Sequence, residues 1–181
     1  MAIIASYLYR VINRLRYEYE KFIANQKFSK VKKEGFLYIG PELMSGFELR
    51  HPERIEIGKM TAISGNCFIN AAGGVKIGAY CHIAKGLTIY SHNHNWHSKE
   101  YIPYDHDDIM RPVIIGNCVW IGCNVTIAPG TTIGDGVIVS SGSVVFGDVE
   151  KCTIVRGNPA TVIGHRDIAI FDKLFNEEKF M

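Results

Sequence analysis

Aliphatic residues recur every six positions along most of this chain: Ile57, Ile63 and Ile69, then Ile77, Ile83 and Ile89, and later Ile115, Ile121, Ile127, Ile133, Val139 and Val145. A helix repeats at 3.6 residues and a half-buried strand alternates at two, so neither holds a stripe at strict sixes. A fixed period of this length is the mark of a solenoid built from hexapeptides. Three six-residue faces make one triangular coil, and each coil advances by roughly 4.8 Å, the spacing between paired strands. The aliphatics then stack in columns inside the prism. A glycine or other small residue often follows them (Gly58, Gly78, Gly116, Gly122, Gly134) and suits a turn between faces. The pattern predicts an all-β solenoid from about Ile55 to Val145, with residues 34–56 as an irregular lead-in carrying short extended pieces at 36–39 and 47–49.

The breaks in the period are as informative as the repeat. Ile69 and Ile77 are eight apart, which places a two-residue bulge near Ala71–Gly74. Ile89 and Ile115 are 26 apart, so one long loop, residues 90–112, leaves the coil and returns. Loops of that length in compact domains are functional or disordered. This one holds Trp96, Tyr101, Tyr104, four histidines and three aspartates, and reads as an ordered arm over a site.

Helical periodicity marks both ends. Residues 3–25 predict an amphipathic helix with Ile4, Leu8, Val11, Leu15 and Phe22 near one face and Arg10, Arg14, Arg16 and Lys21 on the others. Two readings of it stay open: the stripe packs on the solenoid or a neighbouring subunit, or it lies on an anionic membrane surface. From Asp167 a second helix is predicted, with that residue as N-cap, closing the open end of the prism. The division expected is 1–33 helix, 34–165 solenoid with its loop, and 166–181 capping helix.

Composition narrows the classes. The 181 residues are 47% hydrophobic and 21% charged, with a formal net charge of +2, so no broad basic face for nucleic acid is implied. The five cysteines form no CxxC pair, and Cys67 and Cys81 fall where small residues fill the prism, as reduced packing thiols would. The start carries no basic leader and Arg10 interrupts its apolar run, so a cytoplasmic protein is expected.

The run Ser91-His-Asn-His-Asn-Trp-His97, with Val119-Trp-Ile-Gly122 and Gly157-Asn-Pro-Ala160, resembles the hexapeptide-repeat acyltransferases. The nearest branch is similar to the galactoside, maltose and nodulation-factor O-acetyltransferases. That resemblance implies a left-handed β-helix, overriding the usual right-handed crossover. It also implies acetyl-CoA as co-substrate, no required metal, a carbohydrate acceptor and a homotrimer.

By the same resemblance His94, in Asn93-His94, is the general base that takes the proton of an attacking hydroxyl. Asn70, His92 and Trp96 would contact the acceptor. Trp120, Gly122, Cys123, Ser141, Arg156 and Arg166 would line the cofactor groove, with a backbone oxyanion donor around Gly122-Cys123. Two departures bear on the coenzyme phosphates: Thr161 stands where relatives carry Lys or Arg, and Gly147 where many carry Lys. Arg156 or Arg166 would compensate.

Rival readings of the cluster remain. His92 could be the base. His92 and His97, with His82, are spaced as in the γ-type carbonic anhydrases that bind zinc. His106 among its aspartates reads as a solvated tip. N-acetylation of an amino sugar or antibiotic-like acceptor is the alternative reaction. The helix 3–25 does not match the acceptor-binding segment of the galactoside branch, which shifts the expected acceptor towards a capsule, O-antigen or exopolysaccharide precursor.

Overall fold

In a computed structural model, which describes residues 2–35, 38–39 and 46–181, the chain is a parallel β-solenoid of about six turns flanked by two helices, a left-handed β-helix. Helix α1 spans Ala2–Lys27. The first coil is β1 (Lys32–Lys33), β2 (Tyr38–Ile39) and β3 (Glu48–Arg50); the second is β4 (Ile55–Ile57), β5 (Ala62–Ile63) and β6 (Phe68–Asn70); the third is β7 (Val75–Ile77), β8 (His82–Ile83) and β9 (Thr88–Tyr90). The loop follows as a two-stranded arm, β10 (His92–His94) and β11 (Asp108–Met110). Coil four is β12 (Val113–Ile115), β13 (Trp120–Ile121) and β14 (Thr126–Ile127), and coil five is β15 (Thr132–Ile133), β16 (Ile138–Val139) and β17 (Val144–Val145). Last come β18 (Asp148–Val149), β19 (Thr153–Gly157), β20 (Ala160–His165) and helix α2 (Ile168–Asn176).

The first strands of successive coils stack as face A (β1-β4-β7-β12-β15-β18), the second as face B, extended by the antiparallel β20, and the third as face C (β3-β6-β9-β14-β17). Register is set by the hexapeptide: Ile57 pairs with Ile77, Ile63 with Ile83 and Ile69 with Ile89, and all six are buried. Each such side chain contributes roughly 1.5–3 kcal/mol on burial. The repeat therefore supplies both the core and the strand alignment.

The solenoid is one coil longer at each end than the six-residue stripe indicated. The lead-in is a first coil: β1 pairs with β4, with Lys32 Nζ 3.1 Å from Glu56 Oε1, and β3 pairs with β6. Of the extended piece expected at 36–39, Phe36 and Leu37 lie outside the described residues. The prism end below coil one is filled by the C-terminal turn of α1 and the residue after it, where Ala24 and Phe28 are buried and Phe28 meets the Phe47 ring edge-on at 5.1 Å.

The turns also work differently from the expectation. The glycine after each aliphatic is there for close stacking: a Cβ on Gly78 would lie 2.5 Å from the Gly116 carbonyl oxygen, and one on Gly122 would lie 2.6 Å from Ser141 N. The left-handed backbone falls two residues later, at Met60, Tyr80, Cys118 and Asn124 as well as at glycines.

Helix α2 does begin at an Asp167 N-cap, whose carboxylate accepts from Ile170 N at 2.9 Å. It lies along the A/B corner instead of across the open end. Asp172 pairs with Lys151, a Cβ on Gly136 would strike Phe171, and Phe180 stacks on Tyr80 at 3.8 Å. The edge of β19 is covered by the hairpin to β20 through Asn158-Pro159.

Candidate active site

The arm leaves between β9 on face C and β12 on face A. Its root is fixed by Ser91, which is fully buried. Ser91 donates from N and from Oγ to the Asn70 carbonyl oxygen (both 3.0 Å), and its Oγ accepts from Gly73 N at 2.9 Å. From that root β10 and β11 pair antiparallel, with His92 opposite Met110 and His94 opposite Asp108.

That register makes the chemistry. His94 Nδ1 lies 2.9 Å from Asp108 Oδ1. A carboxylate accepts, so Nδ1 carries the proton and Nε2 keeps its lone pair. Tyr104 stacks on the imidazole at 4.0 Å with planes within 10°. The arm's far end is tied by Asp105, whose carboxylate accepts from Asp107 N (2.9 Å) and Asn95 Nδ2 (2.7 Å). The Asp107 N–H is the main reason that the Asp105 carboxyl is held below the usual range. An imidazole clamped between a carboxylate and a ring, with one free nitrogen, is built to accept a proton.

His92 projects to the same side of β10 as His94, ring centroids 6.1 Å apart, but its buried Nδ1 has no partner among the described residues. Asn70 is buried and makes an Asx-type contact, Oδ1 accepting from Ala72 N at 3.3 Å, so it shapes the turn beneath the arm. Trp96 lies on the arm, its ring against His97 and mostly exposed. Asp108 and Tyr104 were not singled out from sequence; the signal was the alternation His92-x-His94 against Asp108-x-Met110, the period of a hairpin.

The residues assigned to the cofactor do not gather with these. Gly122, Cys123 and Ser141 sit on the B/C corner. Gly122 N donates to the Val139 carbonyl oxygen (2.8 Å) and Cys123 N to Ser141 Oγ (3.0 Å). The expected oxyanion donors are therefore spent inside the solenoid, because each coil's turn is bonded to the next. Among the described residues the Ser141 N–H has no acceptor, and Ser141 is exposed. Trp120 and Arg166 share a cavity of about 400 Å³ beside α2, walled by Tyr80, Phe171, Phe175 and Phe180, and Arg166 Nε has no partner among the described residues. Arg156 is exposed on β19, while Lys151 is engaged by Asp172.

Burial pushes the Cys67 thiol up to about 11 and that of Cys81 to about 12, consistent with packing roles. Among the described residues no three His, Cys, Asp or Glu side chains are grouped to hold a metal, so His82, His92 and His97 do not converge within one chain.

Comparison with known proteins agrees with this architecture. The family described as bacterial transferase hexapeptide (six repeats) matches residues 112–147. Over 144 residues the chain is 34% identical to an Escherichia coli protein described as a lipopolysaccharide biosynthesis O-acetyl transferase, WbbJ, covering 74% of each. It is 29% identical over 119 residues to an E. coli protein described as a colanic acid biosynthesis acetyltransferase, WcaF, covering 66% of this chain but 63% of that one, under two thirds of its length. A hexapeptide-repeat acetyltransferase from Vibrio cholerae, solved with acetyl-coenzyme A, superposes with a TM-score of 0.68 at 29% identity, covering 83% of this chain and 79% of that one. The chain belongs to the hexapeptide-repeat acetyltransferase family.

Proposed function

We propose that this protein transfers an acetyl group from acetyl-CoA to a hydroxyl of a sugar, in a cytoplasmic step that builds a surface-polysaccharide precursor. The observation that carries the reading is the 2.9 Å contact from His94 Nδ1 to Asp108, which leaves Nε2 as the base. The relatives described as acting in lipopolysaccharide and colanic acid biosynthesis support the acceptor class.

In this mechanism His94 Nε2 removes the proton as the sugar oxygen attacks the thioester carbonyl carbon. The tetrahedral intermediate collapses with cleavage of the C–S bond, and the imidazolium returns its proton to the departing thiolate. Proton transfer of this kind is worth about 10²–10⁴ in rate. The oxyanion needs a donor that is not already spent, and the Ser141 N–H and hydroxyl meet that need.

His94 stands at the C/A corner and Ser141 at the B/C corner of the same prism. Parallel packing of prisms would bring one chain's arm against its neighbour's B/C corner, which supports a homotrimer with composite sites. Residues 34–165 would then act as the transferase unit, with Asn70, His92 and Trp96 towards the acceptor, and with Trp120, Gly122, Cys123, Arg156 and Arg166 along the coenzyme. The relevant test is thiol release from acetyl-CoA with pooled sugars and amino sugars, wild type beside His94→Ala. Sugar-dependent release that the variant loses is the expected result. Release that depends only on amines would sink the O-transfer assignment, and equal sugar-dependent release by both proteins would sink His94 as its base.

A further inference from the structure

Helix α1 is 26 residues, about 39 Å long, and among the described residues its burial is concentrated at its C-terminal end. Ala24 and Phe28 plug the first coil. On a helical projection they lie on the side opposite Leu8, Leu15 and Phe22. The apolar stripe therefore turns away from its own solenoid: Ile4 is 64% exposed, Leu8 52%, Leu15 65% and Phe22 57%. Tyr7 and Tyr19, amphipathic rings suited to a polar–apolar boundary, border the stripe. Arg14 and Lys21 flank it on one edge, beyond Glu18, and Arg16, paired with Glu20 at 3.0 Å, on the other.

Charge is unevenly divided along the chain. The first 33 residues hold eight Lys and Arg against two Glu, whereas the remaining 148 hold twelve basic and sixteen acidic residues. No helix among the described residues is long and apolar enough to cross a membrane. An apolar stripe on a net-basic helix, with cations at both edges, suits the plane of an anionic bilayer surface, where the stripe enters the acyl boundary and the cations meet headgroups. The same helix from a second copy would bring cations against cations.

We infer that α1 is a surface anchor for anionic lipid, with Ile4, Leu8, Val11, Leu15 and Phe22 immersed and Arg14, Arg16 and Lys21 at headgroup level. The arm leaves coil three, two coil steps or roughly 10 Å along the solenoid axis from the plugged end. The anchor would hold that arm near an acceptor carried on the same lipid surface. This last consequence rests on the proposed transferase reading; the lipid binding does not.

The test is co-sedimentation of the full-length protein with phosphatidylcholine vesicles and with vesicles containing about 30% phosphatidylglycerol, an anionic surface of the kind that draws basic segments. Binding at least about tenfold stronger on the anionic vesicles is expected, falling as salt rises to about 0.5 M. The pair Leu8→Glu and Leu15→Glu, both exposed and away from the docked turn, should lower it at least about tenfold while solution mass and melting temperature stay unchanged. Binding to neither vesicle, equal binding to both, or full binding by the variant would overturn the inference. A smaller solution mass for the variant would also overturn it, because a second copy would then cover the stripe. Thiol release with a soluble acceptor separates the two proposals: lipid binding without transfer sinks the enzymatic reading alone.

Discussion

Replacing Asp108 by Asn is the sharpest probe of the arm. The carboxylate accepts from His94 Nδ1 at 2.9 Å, and both side chains are about half exposed, at 49% and 38%. An exposed pair of this kind adds under about 1 kcal/mol to stability, so the melting temperature should hardly move. Its effect on catalysis is larger because it selects the tautomer. An Asn amide can donate to Nδ1, which favours a proton on Nε2 and removes the lone pair that must act as base. Loss of the base's correct tautomer costs at most what the base contributes, about 10²–10⁴-fold, or roughly 2.7–5.5 kcal/mol of transition-state stabilisation. The orientation here is shared with the Tyr104 stack, so the lower half of that range is expected. The assay is kcat/KM for acetyl transfer by wild type, Asp108→Asn, His94→Ala and the double variant. If Asp108 acts only through His94, the double variant should match His94→Ala within about twofold, since groups that work as a unit are non-additive. A single Asp108→Asn variant within twofold of wild type, or full additivity in the double variant, would refute the dyad.

Gly78→Ala should lower stability by about 1–3 kcal/mol because its methyl meets backbone at 2.5 Å, whereas Gly142→Ala meets nothing and adds only backbone strain at φ +73°, about 1 kcal/mol; denaturant midpoints rank the two. Phe28→Ala should cost about 3–5 kcal/mol by leaving the prism end unfilled, read as a thermal transition lower by roughly 6–20 °C. Thiol labelling of the native protein near pH 7 should spare Cys67 and Cys81, which burial keeps protonated and covered, and full labelling of both before unfolding would contradict that packing. Asp105 titrates lower in the folded arm than when unfolded, so its contribution to arm order is complete above the ordinary carboxylate value near 4 and is lost as pH falls through its depressed one. Trp96 fluorescence should report that change on acidification and lose it in Asp105→Asn; an identical acid profile in the two proteins would remove Asp105 from the account.

The solenoid was legible because its core and its register are one pattern: the residue that must be buried is also the residue that pairs with its counterpart one coil on. Where the two functions separate, the sequence went quiet. Coil one is held by pairs such as Lys32 with Glu56 and by Phe28 just after α1, none of which carries the six-residue stripe. The turns misled for a related reason. Glycine after the aliphatic suggested special dihedrals, but it is excluded volume that demands glycine there. The left-handed position admits Met60, Tyr80 and Cys118, which no composition rule marks.

The site divides along the same line. His94 is singled out by the resemblance of Asn93-His94 to the family's motif at the start of the loop, with His92 left as a rival. The partners of His94 could not be, because Asp108 and Tyr104 reach it only through the antiparallel register of an arm whose strands are 14 residues apart, and a run of aspartates on a loop reads as a solvated tip. The coenzyme residues, expected along one groove, lie on different parts of a single prism. A six-residue period fixes which corner each occupies, Trp120 on face B and Cys123 three residues later at the B/C corner, while the arm stands beyond face C. With three faces per coil, that spacing puts His94 and Ser141 at different corners of one prism, and under the proposed reading a neighbouring prism would supply the missing half of the site.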